Sequence, residues 1–275
     1  MNISLIHHSQ EAELFEGPIF DTINNILYYV SILDGLTYCY SPVTKEILSI
    51  GLDSPTSNVY LTKQKKVVLV ASKNGFYELD FNALSKKFQF QIDIDSSVRY
   101  NDGIHDSVGR IIIGTMGFPE VKHGIGNVYS YENGVSKILI KGTTISNGLA
   151  FTHDNSTLYF IDTPTQKVAK YKYDINNGGL EFDSYVIEFT NGSSPDGMCI
   201  DKNDMLWIAE WGGNCVSQWN PITGEKLNEI KLPNKNITSC CFDSDKNLYI
   251  TSAKDEKDPQ TGSSLYYVEL TKSNL

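Results

Sequence analysis

Four short segments of the sequence place an oxygen-bearing side chain next to a glycine and ahead of an apolar residue. They are Glu16-Gly17-Pro18-Ile19, Asn101-Asp102-Gly103-Ile104, Asn147-Gly148-Leu149 and Asp196-Gly197-Met198. Carboxylate and amide oxygens are the ligands that hard divalent cations such as Ca²⁺, Mg²⁺ and Mn²⁺ prefer. If these side chains met, they would hold such a cation and leave coordination positions open, as a catalytic metal requires.

Each segment taken alone has a simpler interpretation, because Asn-Gly and Asp-Gly are among the commonest turn dipeptides. Asp also tolerates strained backbone and accepts hydrogen bonds from its own main chain. Three residue types nevertheless occupy the same place before the same kind of apolar run. A purely structural turn has no reason to change residue type in this way, so a polar ligand site and a set of turns both stay open.

The elements that would carry these segments are predicted from a repeat of apolar runs. The runs begin near Leu27, Val68, Ile111, Leu158, Leu206 and Leu248. Their spacing is roughly 41 to 48 residues, the period of four-stranded propeller blades. No long window shows the apolar period of a helix. The sequence therefore predicts an all-β fold, a six-bladed β-propeller of four-stranded antiparallel blades, as a single domain over residues 1–275.

This architecture also predicts where the four segments lie. The innermost strand of each propeller blade runs along the central channel, so equivalent positions at the ends of these strands point toward one axis. We therefore expect the leading residues Glu16, Asn101, Asn147 and Asp196 to converge. Asp102 is interpreted as a turn-capping side chain that holds Gly103.

The composition indicates which kinds of molecule the protein is expected to bind. The chain has 275 residues, of which 40% are hydrophobic and 20% charged, and a sizeable core is expected. Its net charge of -10 disfavours a nucleic-acid partner, because phosphate binding needs clustered Lys and Arg. No run approaches the length of a membrane span. A small-molecule partner is expected, and a monomer is favoured, although the sequence leaves the oligomeric state open.

The cysteines and the first residues predict the compartment. The five cysteines are odd in number and form no C-x-x-C pair, which favours buried free thiols in a reducing environment. The first residues lack the basic start and the apolar block of a secretory signal peptide. Both observations predict a cytoplasmic location.

Longer motifs surround the four segments. They are Arg99-Tyr100-Asn101-Asp102-Gly103, Ile145-Ser146-Asn147-Gly148-Leu149, Ser194-Pro195-Asp196-Gly197-Met198-Cys199-Ile200-Asp201 and Thr238-Ser239-Cys240-Cys241-Phe242. Together they resemble the regucalcin (senescence marker protein), gluconolactonase and luciferin-regenerating enzyme family, from about Leu14 to about Leu270. The resemblance implies a six-bladed propeller with one bound divalent cation. Ca²⁺ is the first choice, and Zn²⁺, Mn²⁺ and Mg²⁺ are the alternatives.

The resemblance also implies roles for particular residues. Glu16, Asn147 and Asp196 are expected to hold the cation, while Arg99 and Asn101 contact the sugar. The resemblance makes Glu120 a further candidate for substrate contact, and His123 is a candidate because it lies in the same loop. The implied activity is hydrolysis of sugar lactones such as gluconolactone.

The residue types suit that activity. A carbonyl polarised by a metal is attacked by water, and Asp196 takes the proton as a base. The alternative is a calcium-binding regulatory protein of regucalcin type without turnover. The Arg99-Asn101 pair favours the enzyme, because a pure cation binder has no need of a guanidinium next to its ion.

Overall fold

The structure, a computed structural model, describes residues 1–255, 257–258 and 261–270. Within these ranges the chain forms 24 β-strands, one 3-10 turn at Thr163–Thr165, and no α-helix. The predicted all-β class is confirmed. No helix among the described residues is long and apolar enough to span a membrane.

The strands follow one another closely along the chain. The first nine are Asn2–Ser9 (β1), Phe15–Asp21 (β2), Ile26–Ser31 (β3), Leu36–Tyr40 (β4), Ile47–Gly51 (β5), Thr56–Leu61 (β6), Val67–Ser72 (β7), Gly75–Asp80 (β8) and Ser85–Phe90 (β9). The next twelve are Val98–His105 (β10), Ile111–Gly117 (β11), Gly126–Glu132 (β12), Val135–Thr143 (β13), Ser146–Phe151 (β14), Thr157–Asp162 (β15), Lys167–Asp174 (β16), Gly179–Glu188 (β17), Ser194–Ile200 (β18), Leu206–Trp211 (β19), Cys215–Asn220 (β20) and Glu225–Lys231 (β21). The last three are Asn236–Phe242 (β22), Leu248–Ala253 (β23) and Ser263–Glu269 (β24).

The grouping of these strands into sheets corrects the predicted fold. Strands β2–β5, β6–β9, β10–β13 and β14–β17 form four separate four-stranded antiparallel sheets, and β1 with β18–β24 forms one eight-stranded sheet. The prediction of six four-stranded blades is therefore wrong, since four such sheets are present in the described part of the chain. The spacing of apolar runs shows that strands follow in groups of four. It does not show where a sheet ends, because that depends on backbone hydrogen bonds at the strand edges.

The chain divides into two compact units. The first comprises Met1–Gln91 and Leu232–Leu275, and the second Ile92–Lys231. Strands β1–β9 and β22–β24 belong to the first unit, and β10–β21 belong to the second. The single domain expected over residues 1–275 stays a prediction.

The second strand of each group produces the apolar runs seen in the sequence. All residues of β3, β11 and β23 are buried, so these strands show continuous apolar runs rather than alternation. The fourth strands are much more exposed. In β9, for example, every residue except the last is exposed to solvent. This gradient of burial explains why the second strands stand out in the sequence while the fourth strands do not.

Each unit has its own hydrophobic core. In the first unit, Phe15, Tyr29 and Tyr38 pack in an aromatic cluster, and the Tyr29 and Tyr38 rings stack with centroids 4.8 Å apart. In the second unit, Ile161 and Ile208 pack beside Met198, close to the predicted ligand Asp196. The first strand of each group carries the candidate residues, and apolar packing in these cores holds such strands in position.

His7 on β1 predicts a pH dependence of stability. Its ring stacks on Phe15 with centroids 5.1 Å apart, and its Nδ1 lies 2.5 Å from the Tyr29 hydroxyl. Burial, reinforced by the charge of His8, lowers the pKa of His7 below its usual 6.5. The unfolded chain then takes up a proton more readily than the folded one. This contribution to stability is therefore complete above pH 6.5 and is lost as the pH falls below it.

We expect the His7→Phe variant to lose less stability than the wild type on acidification. The measurement is the urea midpoint at about pH 7.5 and about pH 5.5. Phe keeps the ring stacking on Phe15, so the comparison isolates the titrating group. An equal fall of the midpoint in both proteins would show that His7 does not contribute.

Candidate functional site

The first strands of the groups share an irregularity at the segments singled out in the sequence. Pairing with the following strand shifts register between Glu16 and Ile19, Tyr100 and Gly103, Asn147 and Leu149, and Pro195 and Met198. Each shift is a β-bulge, which bends the strand and redirects a side chain. Asn147-Gly148 and Asp196-Gly197 therefore lie at bulges inside strands. The turn interpretation of these two dipeptides is wrong.

Close packing of two strands explains the glycine after Asn147. A Cβ atom at position 148 would lie 2.7 Å from the carbonyl oxygen of Asp196 and 2.9 Å from Cγ of Met198. Both distances are shorter than van der Waals contact, so β14 and β18 approach this closely because residue 148 has no side chain. Gly148, the residue after Asn147, thus lies against the backbone of Asp196.

A line of hydrogen bonds joins three of the predicted site residues in the second unit. The NH1 group of Arg99 donates to Oδ1 of Asn101 at 2.7 Å and to the carbonyl oxygen of Tyr100 at 2.9 Å. Nδ2 of Asn101 donates to Oδ1 of Asn147 at 2.6 Å and to the carbonyl oxygen of Ser146 at 2.8 Å. The structure therefore brings Arg99, Asn101 and Asn147 together, and all three side chains are buried.

A residue that the sequence did not indicate extends this line toward Asp196. Nδ2 of Asn147 donates to Oγ1 of Thr163 at 2.8 Å, and Oγ1 of Thr163 donates to the carbonyl oxygen of Pro195 at 2.8 Å. Thr163 lies in the 3-10 turn after β15. The other groups have no corresponding motif at this place, so no repeat pointed to it.

Asp196 itself is a buried carboxylate, with 6% of its surface exposed. It lies on β18 directly after Pro195, whose backbone pairs with Glu210 of β19. An ionised carboxylate is costly to bury unless positive charge or hydrogen-bond donors lie near it.

Glu16 belongs to the first unit. It lies on β2 opposite Val30, is 9% exposed, and accepts a hydrogen bond from the N–H of Gly17 at 2.8 Å. Gly17 has φ of +53°, in the left-handed region, and a Cβ there would lie 3.0 Å from the carbonyl oxygen of Ser57. The role of Glu16 as a ligand of the same cation as Asn147 and Asp196 stays a prediction.

The loop candidates Glu120 and His123 lie between β11 and β12, and both are exposed. The Nδ1 of His123 lies 3.0 Å from Oγ1 of Thr144, three residues before Asn147. The loop starts just after Met116, which pairs with Arg99, and so lies at the Arg99 end of this sheet. Substrate contact by either residue stays a prediction. The expected contact of Asp102 with Gly103 is present, since its Oδ1 accepts from the N–H of Gly103 at 2.7 Å, but the pair lies at the bulge of β10 and not in a turn.

Another group of metal-ligating side chains in the second unit consists of Glu210, Cys215 and Glu229. The ammonium group of Lys226 lies 3.2 Å from Oε1 of Glu210 and also contacts Glu229. Burial, with the nearby charge of Glu210, raises the pKa of the Cys215 thiol to about 12, so the thiol stays protonated at neutral pH. The lysine already supplies the positive charge, and the group is better described as an ion-pair cluster than as a metal centre.

The cysteines occur as predicted. All five are free, with Cys39, Cys215 and Cys240 buried and Cys199 and Cys241 partly buried. Burial, followed by the charges of Cys240 and Asp243, raises the pKa of Cys241 well above its usual value. This favours inert packed thiols over nucleophiles.

Comparison with known proteins identifies the family of the chain. The model of the SMP-30/Gluconolactonase/LRE-like region matches residues 14–254. A Bacillus subtilis protein named "Putative sugar lactone lactonase YvrE" is 34% identical over 260 residues, covering 92% of this chain and 88% of that protein. Human regucalcin is 32% identical over 255 residues, covering 89% of this chain and 85% of that protein.

A solved structure shows the same fold. The structure of a calcium-binding protein, regucalcin, from Agrobacterium tumefaciens aligns with a TM-score of 0.87 at 24% identity, over 97% of this chain and 94% of that one. The family match and the two relatives lead to one assignment: the chain belongs to the SMP-30/Gluconolactonase/LRE-like family.

Proposed function

We propose that the chain is a divalent-cation-dependent hydrolase of sugar lactones. One observation carries the proposal. The hydrogen-bonded line runs from the guanidinium of Arg99 through the Asn101 amide to Oδ1 of Asn147, an oxygen suited to a cation. A site that bound only a cation would have no use for this positive group, whereas a polyhydroxylated substrate offers it several acceptors. The family supports the substrate class, since the Bacillus subtilis relative carries the name of a sugar lactone lactonase.

We infer that Asn147 and Asp196 hold the cation, and that Glu16 joins them on the strength of the family resemblance. All three supply oxygen donors, which fit Ca²⁺ best and also accept Mg²⁺, Mn²⁺ or Zn²⁺. The description of the Agrobacterium tumefaciens neighbour as a calcium-binding protein supports Ca²⁺ as the first choice. A cation near Asp196 would also offset the cost of burying its carboxylate.

Each side chain has its own role in the proposed hydrolysis. A divalent cation, when bound, polarises a carbonyl group and lowers the pKa of coordinated water. Asp196 takes the proton from the water that attacks the lactone carbonyl. The ring C–O bond then breaks, and the released ring oxygen receives a proton to give the open hydroxy acid. Arg99 donates hydrogen bonds to the sugar and fixes its orientation.

The contacts of Asn101 refine its expected role. Both hydrogens of its Nδ2 are used, one by the carbonyl oxygen of Ser146 and one by Oδ1 of Asn147. Toward the sugar this side chain therefore offers its Oδ1, which already accepts from Arg99 and has one lone pair left. Asn101 would accept a hydrogen bond from a sugar hydroxyl rather than donate one.

The proposal predicts that metal removal abolishes lactone hydrolysis and that a divalent cation restores it. The measurement is proton release from gluconolactone and other aldonolactones, with spontaneous opening as the blank. Metal-stripped protein is assayed alone and after addition of Ca²⁺, Mg²⁺, Mn²⁺ or Zn²⁺. We expect residual activity near the blank and recovery with Ca²⁺ or another of these cations.

The opposite results separate the two functional classes. Full activity in stripped protein would overturn the metal dependence. No turnover of any lactone, together with tight cation binding, would overturn the hydrolase and favour a calcium-binding regulatory protein. The binding measurement is calorimetric titration of each cation into the stripped protein.

A further inference from the structure

The hydroxyl of Thr163 lies between the strands that carry two of the proposed cation ligands. It accepts from Nδ2 of Asn147 on β14 and donates to the carbonyl oxygen of Pro195 on β18. The backbone of Thr163 is fixed in turn, because its N–H donates to the carbonyl oxygen of Ile145 at 3.1 Å. One partly buried hydroxyl thus connects the side chain of Asn147 to the residue before Asp196.

The chemistry of these partners determines which way the Asn147 amide faces. A backbone carbonyl only accepts, so the single hydrogen of the Thr163 hydroxyl is committed to Pro195, and its lone pairs accept from Asn147. On the other side, Nδ2 of Asn101 only donates, which requires Oδ1 of Asn147 to face it. If the Asn147 amide were flipped, its Nδ2 would face Nδ2 of Asn101, and two donors would oppose each other. The hydroxyl therefore keeps Oδ1, the atom that a cation needs, turned away from Thr163.

The same kind of support recurs at each proposed ligand. The carbonyl oxygen of the residue before it accepts a hydrogen bond from a side chain outside its own strand. The carbonyl before Asn147 accepts from Asn101 at 2.8 Å, and the carbonyl before Asp196 accepts from Thr163 at 2.8 Å. In the first unit, the carbonyl before Glu16 accepts from Thr238 at 2.6 Å. This recurrence indicates that each ligand position is held through the backbone directly ahead of it.

We propose that Thr163 is a positioning residue for the cation site. Its hydroxyl presents Oδ1 of Asn147 and fixes the backbone from which Asp196 projects. The inference rests on the proposed function, because it takes Asn147 and Asp196 to be the ligands. It goes further by naming a residue outside the ligand set that controls affinity for the cation. Partners of this kind typically change metal affinity by about 10- to 100-fold when they are removed.

The test compares three single variants by calorimetric titration of Ca²⁺ into metal-stripped protein without any lactone. Thr163→Val removes the hydroxyl and keeps the shape, and Thr163→Ser keeps the hydroxyl. Thr165→Val makes the same change two residues away, at an exposed threonine. Its hydroxyl donates to the carbonyl oxygen of Asp162 and accepts from the N–H of Lys167, and it forms no hydrogen bond with Asn147 or Pro195. We expect the Kd for Ca²⁺ to rise about 10- to 100-fold in Thr163→Val. It should stay within about twofold of the wild type in the other two variants.

The outcomes distinguish this inference from the proposed function. Wild-type affinity in Thr163→Val, with tight Ca²⁺ binding by the wild type, would overturn the inference and leave the proposed function intact. Absence of binding of any divalent cation to the wild type would overturn both. A lower affinity in Thr165→Val equal to that in Thr163→Val would also overturn it, by showing a general effect on the turn. If Thr163→Val does not fold, Thr163→Ala removes the same hydroxyl and is judged by the same criterion.

Discussion

Replacing Asp196 by Asn is expected to lower the kcat for lactone hydrolysis by about 10³-fold while the protein stays folded. The substitution keeps the shape of the side chain on β18 but removes its charge and its ability to take a proton. An amide oxygen can still bind a cation, although less strongly than a carboxylate. The loss should therefore persist when the cation is present at saturating concentration, as judged by initial rates over a range of Ca²⁺ concentrations.

Asp204→Asn is the matched control for this experiment. It removes the same charge at a half-exposed aspartate between β18 and β19, where Oδ1 accepts from the N–H of His153 at 3.1 Å. We expect its kcat to match the wild type. Full recovery of Asp196→Asn at high Ca²⁺ would show that Asp196 acts as a ligand alone. A rate above one tenth of the wild type at every concentration would refute its role as the base.

Replacing Asp106 by Ala is expected to destabilise the second unit by about 3–5 kcal/mol, because it removes the buried carboxylate from a buried ion pair. The guanidinium of Arg110 then keeps the half-exposed carboxylate of Glu132, 3.2 Å from its Nε, as its remaining acidic partner. NH1 of Arg110 lies 2.6 Å from Oδ2 of Asp106, and the two side chains are 6% and 0% exposed. The same carboxylate accepts from the hydroxyl of Tyr173 at 2.7 Å and from the N–H of Arg110 at 2.8 Å. The measurement is the urea midpoint together with the slope of the transition.

Tyr173→Phe removes two neighbouring hydrogen bonds, one donated to Asp106 and one accepted from Arg110. It leaves both charges of the ion pair in place, so it should cost only about 2 kcal/mol. Asp106 follows the end of β10, whereas Arg99 lies near the start of that strand. The kcat of folded Asp106→Ala should therefore equal that of the wild type. A cost no larger than that of Tyr173→Phe would mean that the ion pair contributes little net stability.

The positions of the candidate residues could be predicted from the sequence because a bulge has a local signature. An Asn-Gly or Asp-Gly pair just ahead of an apolar residue marked the register shifts after Asn147 and Pro195. The buried second strands could also be located, since burial on both faces produces a continuous apolar run. Whether each dipeptide forms a turn or a bulge could not be predicted, because the same two residue types suit both.

Other features depend on contacts between distant parts of the chain. The joining of eight strands into one sheet is decided by backbone hydrogen bonds, which side-chain types do not report. Thr163 follows Asp162 in an ordinary Thr-Pro step, and only the folded arrangement places its hydroxyl against Pro195, 32 residues away. Sequence periodicity detects only features that recur from one group of strands to the next, whereas the contact of Thr163 with Pro195 involves a residue without a repeated motif.

The bulges have a consequence for how activities diverge within this family. They recur at the corresponding places of β6 and β22, where Ser57 and Thr238 stand in place of an acid or an amide. The hydroxyl of Thr238 also holds the carbonyl oxygen of Phe15, whereas Ser57 lies at a bulge that the backbone pairing of β6 with β7 defines. A substitution at Ser57 is therefore expected to exchange one functional group with little effect on the strand. We expect that single substitutions at such positions change which ligand is bound while the scaffold stays the same. Protein engineers can use the same positions as a small, defined library.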